Sequence, residues 1–480
     1  MDEIRCPLDE AAEVHRELPA LICPDGTFSY YAYRNLVCAA AERLKRRGIA
    51  EEERVALLMP NDWRYVVIIM ALLRIRAVVC PFNSHTPPPG LKPLLDKIAC
   101  QTLITSLPQM GCETVADGRA LNPEDLVDID DARQDRPTRV DIRLAQAATI
   151  VFTSGSLGSP KAVLHSYGNH YYNAKGSNRN IRLGPGDRWL LALPLYHVGG
   201  LSIVFRCLLS GAAVVTPEKS EELLESLNRY SVSHLSVVPT QLHRLMRQGF
   251  AKQHRTPQAI LLGGASVPAN LLEEGFAAGL PLYTSYGLTE MASQVTTTSS
   301  SLSPEKRFTS GKALPFRQVR VSEEGEILVK GETLFKGYAE RDGLNLPLDL
   351  HGWFATGDLG YLDREGYLTV TGRKDNMFIS GGENIQPEEI EMALCEHSTV
   401  AQAVVVPVLD EEFGSRPVAF IQTNSGDLNP QALGQFLEER VARYKIPVAF
   451  YDWPETIGPQ GLKANREWLR RLAAQKLASP

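Results

Sequence analysis

Arg54-Val55-Ala56-Leu57-Leu58-Met59 is an unbroken apolar run short enough for a buried strand; Trp63 to Arg76 then carries a helical pattern. Ala77-Val78-Val79-Cys80-Pro81-Phe82 forms a second apolar run. Strand, helix and strand at this spacing need a crossover connection, so the strands pair in parallel and the chain falls in the α/β class. Working outward, Phe28 to Arg47 reads as a strand start followed by an amphipathic helix, while residues 106 to 146 are polar and poorly periodic and read as a connecting region.

A chain of 480 residues is too long for one ordinary core and calls for two or three domains. Its 44% hydrophobic and 22% charged content is that of a globular protein. The net charge of −6, with no basic run, argues against a nucleic-acid partner and for a small-molecule one. Met1-Asp2-Glu3-Ile4-Arg5-Cys6-Pro7 lacks the basic start and apolar core of a signal peptide, and Arg74 and Arg76 break the longest apolar segment. No membrane association is therefore expected, and a cytoplasmic location is. Oligomeric state is left open, a homo-oligomer included. The cysteines show no C-x-x-C pair and read as reduced packing residues.

The apolar run Ala147 to Phe152 leads into Thr153-Ser154-Gly155-Ser156-Leu157-Gly158-Ser159-Pro160-Lys161. Small residues, hydroxyls and a lysine offer free backbone N–H groups and a cation to a polyphosphate. The spacing is not G-x-x-x-x-G-K-[ST], and Ala162 follows the lysine. Read alone, the stretch is equally a solvated Ser/Gly turn.

Downstream, a strand over Trp189 to Leu195 delivers Tyr196-His197-Val198-Gly199-Gly200, and Leu201 to Leu209 restarts a helix. Two glycines after His197 would leave one side of its imidazole uncovered. Arg206 interrupts the apolar helix, and a buried arginine needs an anionic partner; an intramolecular salt bridge or a snorkelling helix residue is the plain alternative. Ala259 to Ala265 reads as a strand ending in Gly263-Gly264, open to a planar ring. Leu282 to Ser285 gives Tyr286-Gly287-Leu288-Thr289-Glu290, with a stacking face, a hydroxyl and a hard oxygen ligand for Mg²⁺; alone it is also a helix start capped by Thr289. Residues 310 to 373 form a β-rich layer, where Thr356-Gly357-Asp358 ends on a carboxylate able to accept from two vicinal hydroxyls. From about Asn376 the chain has strand and helix patterns of its own, joined through Gly372-Arg373-Lys374-Asp375.

In order and spacing, five stretches resemble the adenylate-forming superfamily of acyl-CoA synthetases, peptide-synthetase adenylation domains and luciferases. They are TSGSLGSPKAV (153–163), PLYHVGG (194–200), YGLTE (286–290), TGD (356–358) and GRKDNMFISGGENIQPEEIE (372–391). Within it, FRCLLSGA (205–212), VVPTQLHRL (237–245), LLGGASVP (261–268), FGSRPVA (413–419) and GLKANREWL (461–469) are most similar to the o-succinylbenzoate–CoA ligases of menaquinone biosynthesis. The SGGEN segment is also similar to aryl-CoA ligases acting on benzoates.

The resemblance implies a large N-terminal domain of mixed α/β layers plus a β-rich layer (1–373), and a small mobile C-terminal α+β lid domain (374–480). It implies ATP, Mg²⁺, coenzyme A and an aromatic carboxylic acid as ligands, and ligation through an acyl-adenylate with release of AMP and pyrophosphate. Another aryl- or acyl-CoA ligase, or a stand-alone carrier-loading adenylation enzyme, is the alternative. By position, Thr153, Ser154, Gly155, Ser156, Gly158 and Lys161 would hold the β- and γ-phosphates, Thr289 the α-phosphate and Glu290 the metal. Gly263, Gly264, Ala265, Tyr286 and Gly287 would enclose the adenine, with Gly264 also at the acid, and Asp358 and Arg373 would grip the ribose. Lys463 would bridge carboxylate and α-phosphate, Asp375 would be the hinge, and Gly381 and Gly382 would line the pantetheine tunnel. His197 would gate the thiol and border the acid pocket, where Arg206 would read a second carboxylate. Leu157, Ala162 and the spacing Gly461-Leu462-Lys463 depart from the superfamily pattern.

Overall fold

A computed structural model describes residues 3–478 except 87, 108–117, 136–138, 154–159, 219, 251–256, 301–302, 342, 425–427 and 455–465. Ser154, Gly155, Ser156, Leu157, Gly158 and Lys463 lie outside the described residues, as do Gly461, Leu462 and Cys112.

The strand Arg54–Leu58 pairs in parallel with Val78–Pro81 and Thr102–Thr105, joined by the buried helix Trp63–Arg74, whose first turn is capped where the Asp62 carboxylate accepts from the Tyr65 amide. Among the described residues two large sheets follow. One has eight strands and continues from Val78–Pro81 into Ala147–Thr153, the antiparallel Lys161–Ser166 and Gly337–Glu340. The other has nine, with a parallel centre of Arg188–Leu190, His234–Val237, Ala259–Leu262 and Leu282–Leu288. Helices Tyr30–Arg46, Trp63–Arg74, Tyr167–Asn180 and Val198–Ser210 share one apolar core with strands of both sheets, so the helices are buried between them. Truncating the fully buried Trp63 to Ala would cost about 3–5 kcal/mol.

Four antiparallel strands, Arg317–Val321, Glu326–Gly331, Phe354–Leu362 and Leu368–Arg373, make the β-rich layer. Its tight turns use Gly325 (φ 83°) and Gly366 (φ 84°) in the left-handed region. Beyond it, the hairpin Phe378–Ser380/Glu383–Ile385, the sheet of Val400–Asp410, Gly414–Thr423 and Ala449–Asp452, and the helices Pro387–Cys395, Pro430–Glu438 and Arg466–Ala478 form a small α+β unit with apolar clusters of its own. This unit meets the larger part through His243 Nε2 and Asn424 Oδ1 (3.0 Å) and through Asn270 Nδ2 donating to the Cys395 carbonyl (2.7 Å).

Four expectations need correction. The strand begun at Trp189 ends at Leu190, because Asn61 replaces a neighbouring strand: its Nδ2 donates to Leu193 O (2.8 Å) and its Oδ1 accepts from Leu195 N (2.9 Å). The next helix starts at Val198, and Gly200 is needed because a side chain there would run into the Pro194 carbonyl, a packing reason apart from the His197 ring. The strand begun at Leu282 runs on to Leu288, so Thr289 enters a short 3₁₀ turn, Thr289–Met291, and caps no helix. Residues 106–146 are not merely connecting: Arg119–Leu121 adds an edge strand to Thr102–Thr105, and Asp141–Arg143 pairs with Glu3–Arg5.

Among the described residues no helix is long and apolar enough to cross a membrane. Cys6, Cys23, Cys38, Cys80, Cys100, Cys207 and Cys395 are buried free thiols.

Candidate active site

Register brings the first constellation together. Asp358, on Phe354–Leu362, lies opposite Arg373 on Leu368–Arg373, and Arg373 Nη1 stands 3.1 Å from Asp358 Oδ1. The other carboxylate oxygen, Oδ2, accepts from the Tyr286 hydroxyl at 2.7 Å. Burial, reinforced by the Asp358 charge, holds the Tyr286 phenol well above its ordinary pKa, so it stays a donor. Gly357 takes a positive φ (74°) inside the strand Phe354–Leu362, where the pairing with Glu326–Gly331 shifts register; a side chain there would press on Arg373 Nη2 at 3.3 Å. Arg373 also reaches Asp375 (3.8 Å), which sits exposed in the 3₁₀ turn Lys374–Asn376. Gln386, from the small unit, donates to the Arg373 carbonyl at 3.0 Å.

The second constellation surrounds Glu290. Its Oε1 accepts from the Tyr338 hydroxyl at 2.8 Å, and Lys161 Nζ lies 4.9 Å from the centroid of the Tyr338 ring. Burial and then the Glu290 charge push the Tyr338 phenol upward. Tyr338 lies opposite Val163 across the strand pair, which sets one aromatic ring between the end of the Ser/Gly loop and the Tyr286–Glu290 segment. Thr153 and Lys161 are themselves cross-strand partners flanking that loop. The carbonyl of Thr289 accepts from His165 Nε2 at 2.7 Å. Gly287 is required because a Cβ would strike the Ser293 carbonyl across the bulged strand pair. Gly263 and Gly264 follow the strand Ala259–Leu262, which pairs with Leu282–Leu288; the Ser285 hydroxyl donates to the Leu262 carbonyl at 2.8 Å, and Gly264 (φ 82°) and Ala265 are exposed.

The third constellation centres on Arg206. It is 1% exposed, which rules out a snorkelling helix residue, and no acid of the described residues pairs with its guanidinium. Its Nη2 meets Ser293 Oγ at 3.4 Å, its Nε is buried without a hydrogen-bond partner, and its Cζ lies 5.2 Å from the Trp189 centroid. Desolvation lowers its pKa to about 9. The Ser202 hydroxyl donates to the Gly199 carbonyl at 3.0 Å and stands 3.4 Å from Ser293 Oγ, so the cation lies between the His197 loop and the segment after Glu290. His197 is exposed at the N-cap of Val198–Ser210, its ring 4.6 Å from that of Tyr196.

Gly381 (φ 58°) and Gly382 (φ 87°) form the left-handed two-residue turn of the hairpin Phe378–Ile385. Gly381 N donates to the Phe413 carbonyl (2.9 Å) within the small unit, so this turn stands apart from the three constellations above. Sequence reasoning missed Tyr338, Ser293 and His165. Tyr338 and His165 act through partners far along the chain, and Ser293 follows the recognised pentapeptide without a motif of its own.

Among the described residues no group of three or more His, Cys, Asp or Glu side chains could hold a metal. One carboxylate, Glu290, linked through the Tyr338 ring to Lys161, fits Mg²⁺, which takes one or two protein carboxylates and completes its shell with phosphates and water.

The AMP-binding enzyme family matches residues 8–339, and the AMP-binding enzyme C-terminal domain matches residues 389–456. The 2-succinylbenzoate–CoA ligase of Bacillus licheniformis is 35% identical over 459 residues, 92% of this chain and 95% of that protein. The o-succinylbenzoate CoA synthetase of Bacillus subtilis, in complex with its acyl-adenylate intermediate, is similar with a TM-score of 0.87 at 30% identity, over 100% of this chain and 99% of that one. The same synthetase in complex with ATP and magnesium ion gives 0.84 at 32% identity, over 94% and 96%. Since both the two-sheet body and the small α+β unit are matched, in order and over nearly the full length, the chain belongs to the AMP-binding enzyme family.

Proposed function

We propose that this chain is an AMP-forming acid–thiol ligase that makes o-succinylbenzoyl-CoA from o-succinylbenzoate, ATP and CoA through an acyl-adenylate. The observation that carries the reading is Arg206: a buried guanidinium with an orphaned Nε and no acid of the described residues beside it calls for an anionic guest. o-Succinylbenzoate brings two carboxylates. One is activated, and the ring carboxylate is left to pair with the guanidinium fork. Relatives named 2-succinylbenzoate–CoA ligase support this substrate.

In the first half-reaction the acid carboxylate attacks the α-phosphorus and pyrophosphate leaves. The Thr153–Lys161 loop holds the β- and γ-phosphates, with Thr153, Ser154 and Ser156 hydroxyls, Gly155 and Gly158 amides and the Lys161 ammonium as donors. Thr289 donates to the α-phosphate, and Glu290 holds Mg²⁺. Bound there, the metal neutralises charge on the phosphates as pyrophosphate departs. Tyr286 and Gly263-Gly264-Ala265 enclose the adenine. Asp358, which accepts from Tyr286 and faces Arg373, is an ionised carboxylate of the kind that accepts from vicinal ribose hydroxyls, and with Arg373 it grips the ribose. Lys463 places a cation where negative charge concentrates between carboxylate and α-phosphate.

In the second half-reaction the CoA thiol displaces AMP. Residues 374–480 turn about Asp375, withdraw Lys463 and bring Gly381 and Gly382 to the pantetheine, while His197 opens the thiol's path. We assign the chain to the cytoplasm, where buried free thiols such as Cys80 and Cys207 stay reduced. The test is pyrophosphate release with ATP, Mg²⁺ and CoA, using o-succinylbenzoate against benzoate and a medium-chain fatty acid. Turnover selective for o-succinylbenzoate is expected; equal or better turnover of either control contradicts the assignment.

A further inference from the structure

The turn that presents Thr289 and Glu290 leaves through two non-glycine residues with positive φ, Ala292 (55°) and Ser293 (131°). Such a backbone is costly and persists only where its surroundings over-determine it. The Glu290 carbonyl accepts from Phe335 N (2.8 Å), and the Met291 and Gln294 carbonyls accept from Asn173 Nδ2 (3.0 and 3.1 Å). The Thr289 carbonyl accepts from Ala292 N (2.9 Å) and from one side chain, His165, through Nε2 at 2.7 Å.

The state of that imidazole follows from its partners. A carbonyl oxygen only accepts, so His165 Nε2 carries the proton. The ring is wholly buried, desolvation lowers its pKa to about 4, and it is neutral near pH 7. Its Nδ1 therefore accepts, and the donor is the hydroxyl of Thr149, its cross-strand partner, at 3.1 Å. That hydroxyl has given its only proton, so its oxygen accepts from His170 Nε2 at 2.8 Å. His170 is stacked on Phe205 (4.9 Å, 16°), the neighbour of Arg206. Each bond points one way, from the helix Tyr167–Asn180 through two strands to the turn.

We propose that His165 is a positioning residue: held in one tautomer by Thr149 and His170, it fixes the Thr289 carbonyl and with it the placement of Thr289 and Glu290 toward Mg·ATP. The proposal rests on the ATP-binding role assigned to that turn. His165→Leu removes the donor with little change in volume, whereas His165→Gln can place an amide N–H where Nε2–H stands. Mg·ATP affinity is read by calorimetry without any acid, alongside melting temperature and the kcat and KM of pyrophosphate release. His165→Leu is expected to weaken Mg·ATP binding and lower kcat by about ten-fold or more, with KM for the acid within about two-fold, and His165→Gln to recover most of both losses. Wild-type affinity and kcat in His165→Leu, or equal losses in the two variants, would overturn the proposal and leave His165 as packing. If His165→Leu does not fold, Thr149→Val takes its place. It leaves the imidazole present but without the hydroxyl that sets its tautomer, a several-fold loss of Mg·ATP affinity is expected, and unchanged affinity would overturn the proposal. A wild-type protein that binds Mg·ATP but does not turn over o-succinylbenzoate contradicts the substrate assignment alone, because the His165 comparison is read on Mg·ATP affinity.

Discussion

Asp358 is met by Tyr286 and Arg373, and Glu290 by Tyr338, so each carboxylate of the proposed nucleotide side has donors within the fold. Arg206, on the proposed acid side, is more deeply buried than either, yet stands beside a serine hydroxyl and an aromatic ring with no carboxylate of the described residues in reach. The two carboxylates are met before anything binds; the guanidinium has no counter-charge among the described residues. A pre-organised set of donors holds a common co-substrate in one pose, whereas an unanswered buried cation makes binding depend on what the guest carries. Discrimination between acids therefore belongs to the Arg206 side, and orientation of the phosphates to the other.

Breaking the acid side should have the largest effect. Arg206→Leu is expected to lower kcat/KM for o-succinylbenzoate by about 10²-fold, the scale of a lost desolvated charge pair of about 3 kcal/mol. It should leave the melting temperature unchanged or raised, because it removes a desolvated cation that the protein alone does not neutralise. Wild-type efficiency would end the specificity argument, and a large drop in melting temperature would mean that Arg206 has a structural counter-ion. On the nucleotide side the signs should differ. Asp358→Asn is expected to raise KM for ATP by about ten-fold and to lower stability by about 1–3 kcal/mol, since Tyr286 and Arg373 lose a charged acceptor; thermal melts and initial rates check both. Smallest of all, Tyr338→Phe removes one hydrogen bond to Glu290, worth about 0.5–1.5 kcal/mol, and should shift the Mg²⁺ dependence of turnover several-fold with KM for the acid unmoved.

The parallel α/β body was legible because Arg54–Leu58 and Val78–Pro81 are continuous apolar runs around an amphipathic segment, a pattern with one topological solution. The early end of the Trp189 strand was not, because the group that ends it, Asn61, lies over 130 residues away in sequence. The site divides in the same manner. Tyr286, Asp358 and Arg373 each stand in a recognisable segment, but the bonds that join them depend on register between distant strands. Arg206 could be singled out as a polar interruption of an apolar helix, yet only burial and the lack of an internal acid decide between its two readings. Tyr338 and His165 carry no local signal, since each gains its meaning from a partner more than 40 residues away along the chain.

The most direct test compares o-succinylbenzoate with 4-oxo-4-phenylbutanoate, which keeps the activated carboxylate and lacks the ring one. Initial rates of CoA thioester formation are followed by mass spectrometry for the wild type and for Arg206→Leu. A strong wild-type preference for o-succinylbenzoate that collapses in the variant is the predicted result, and a wild type that thioesterifies both acids equally well would contradict the account.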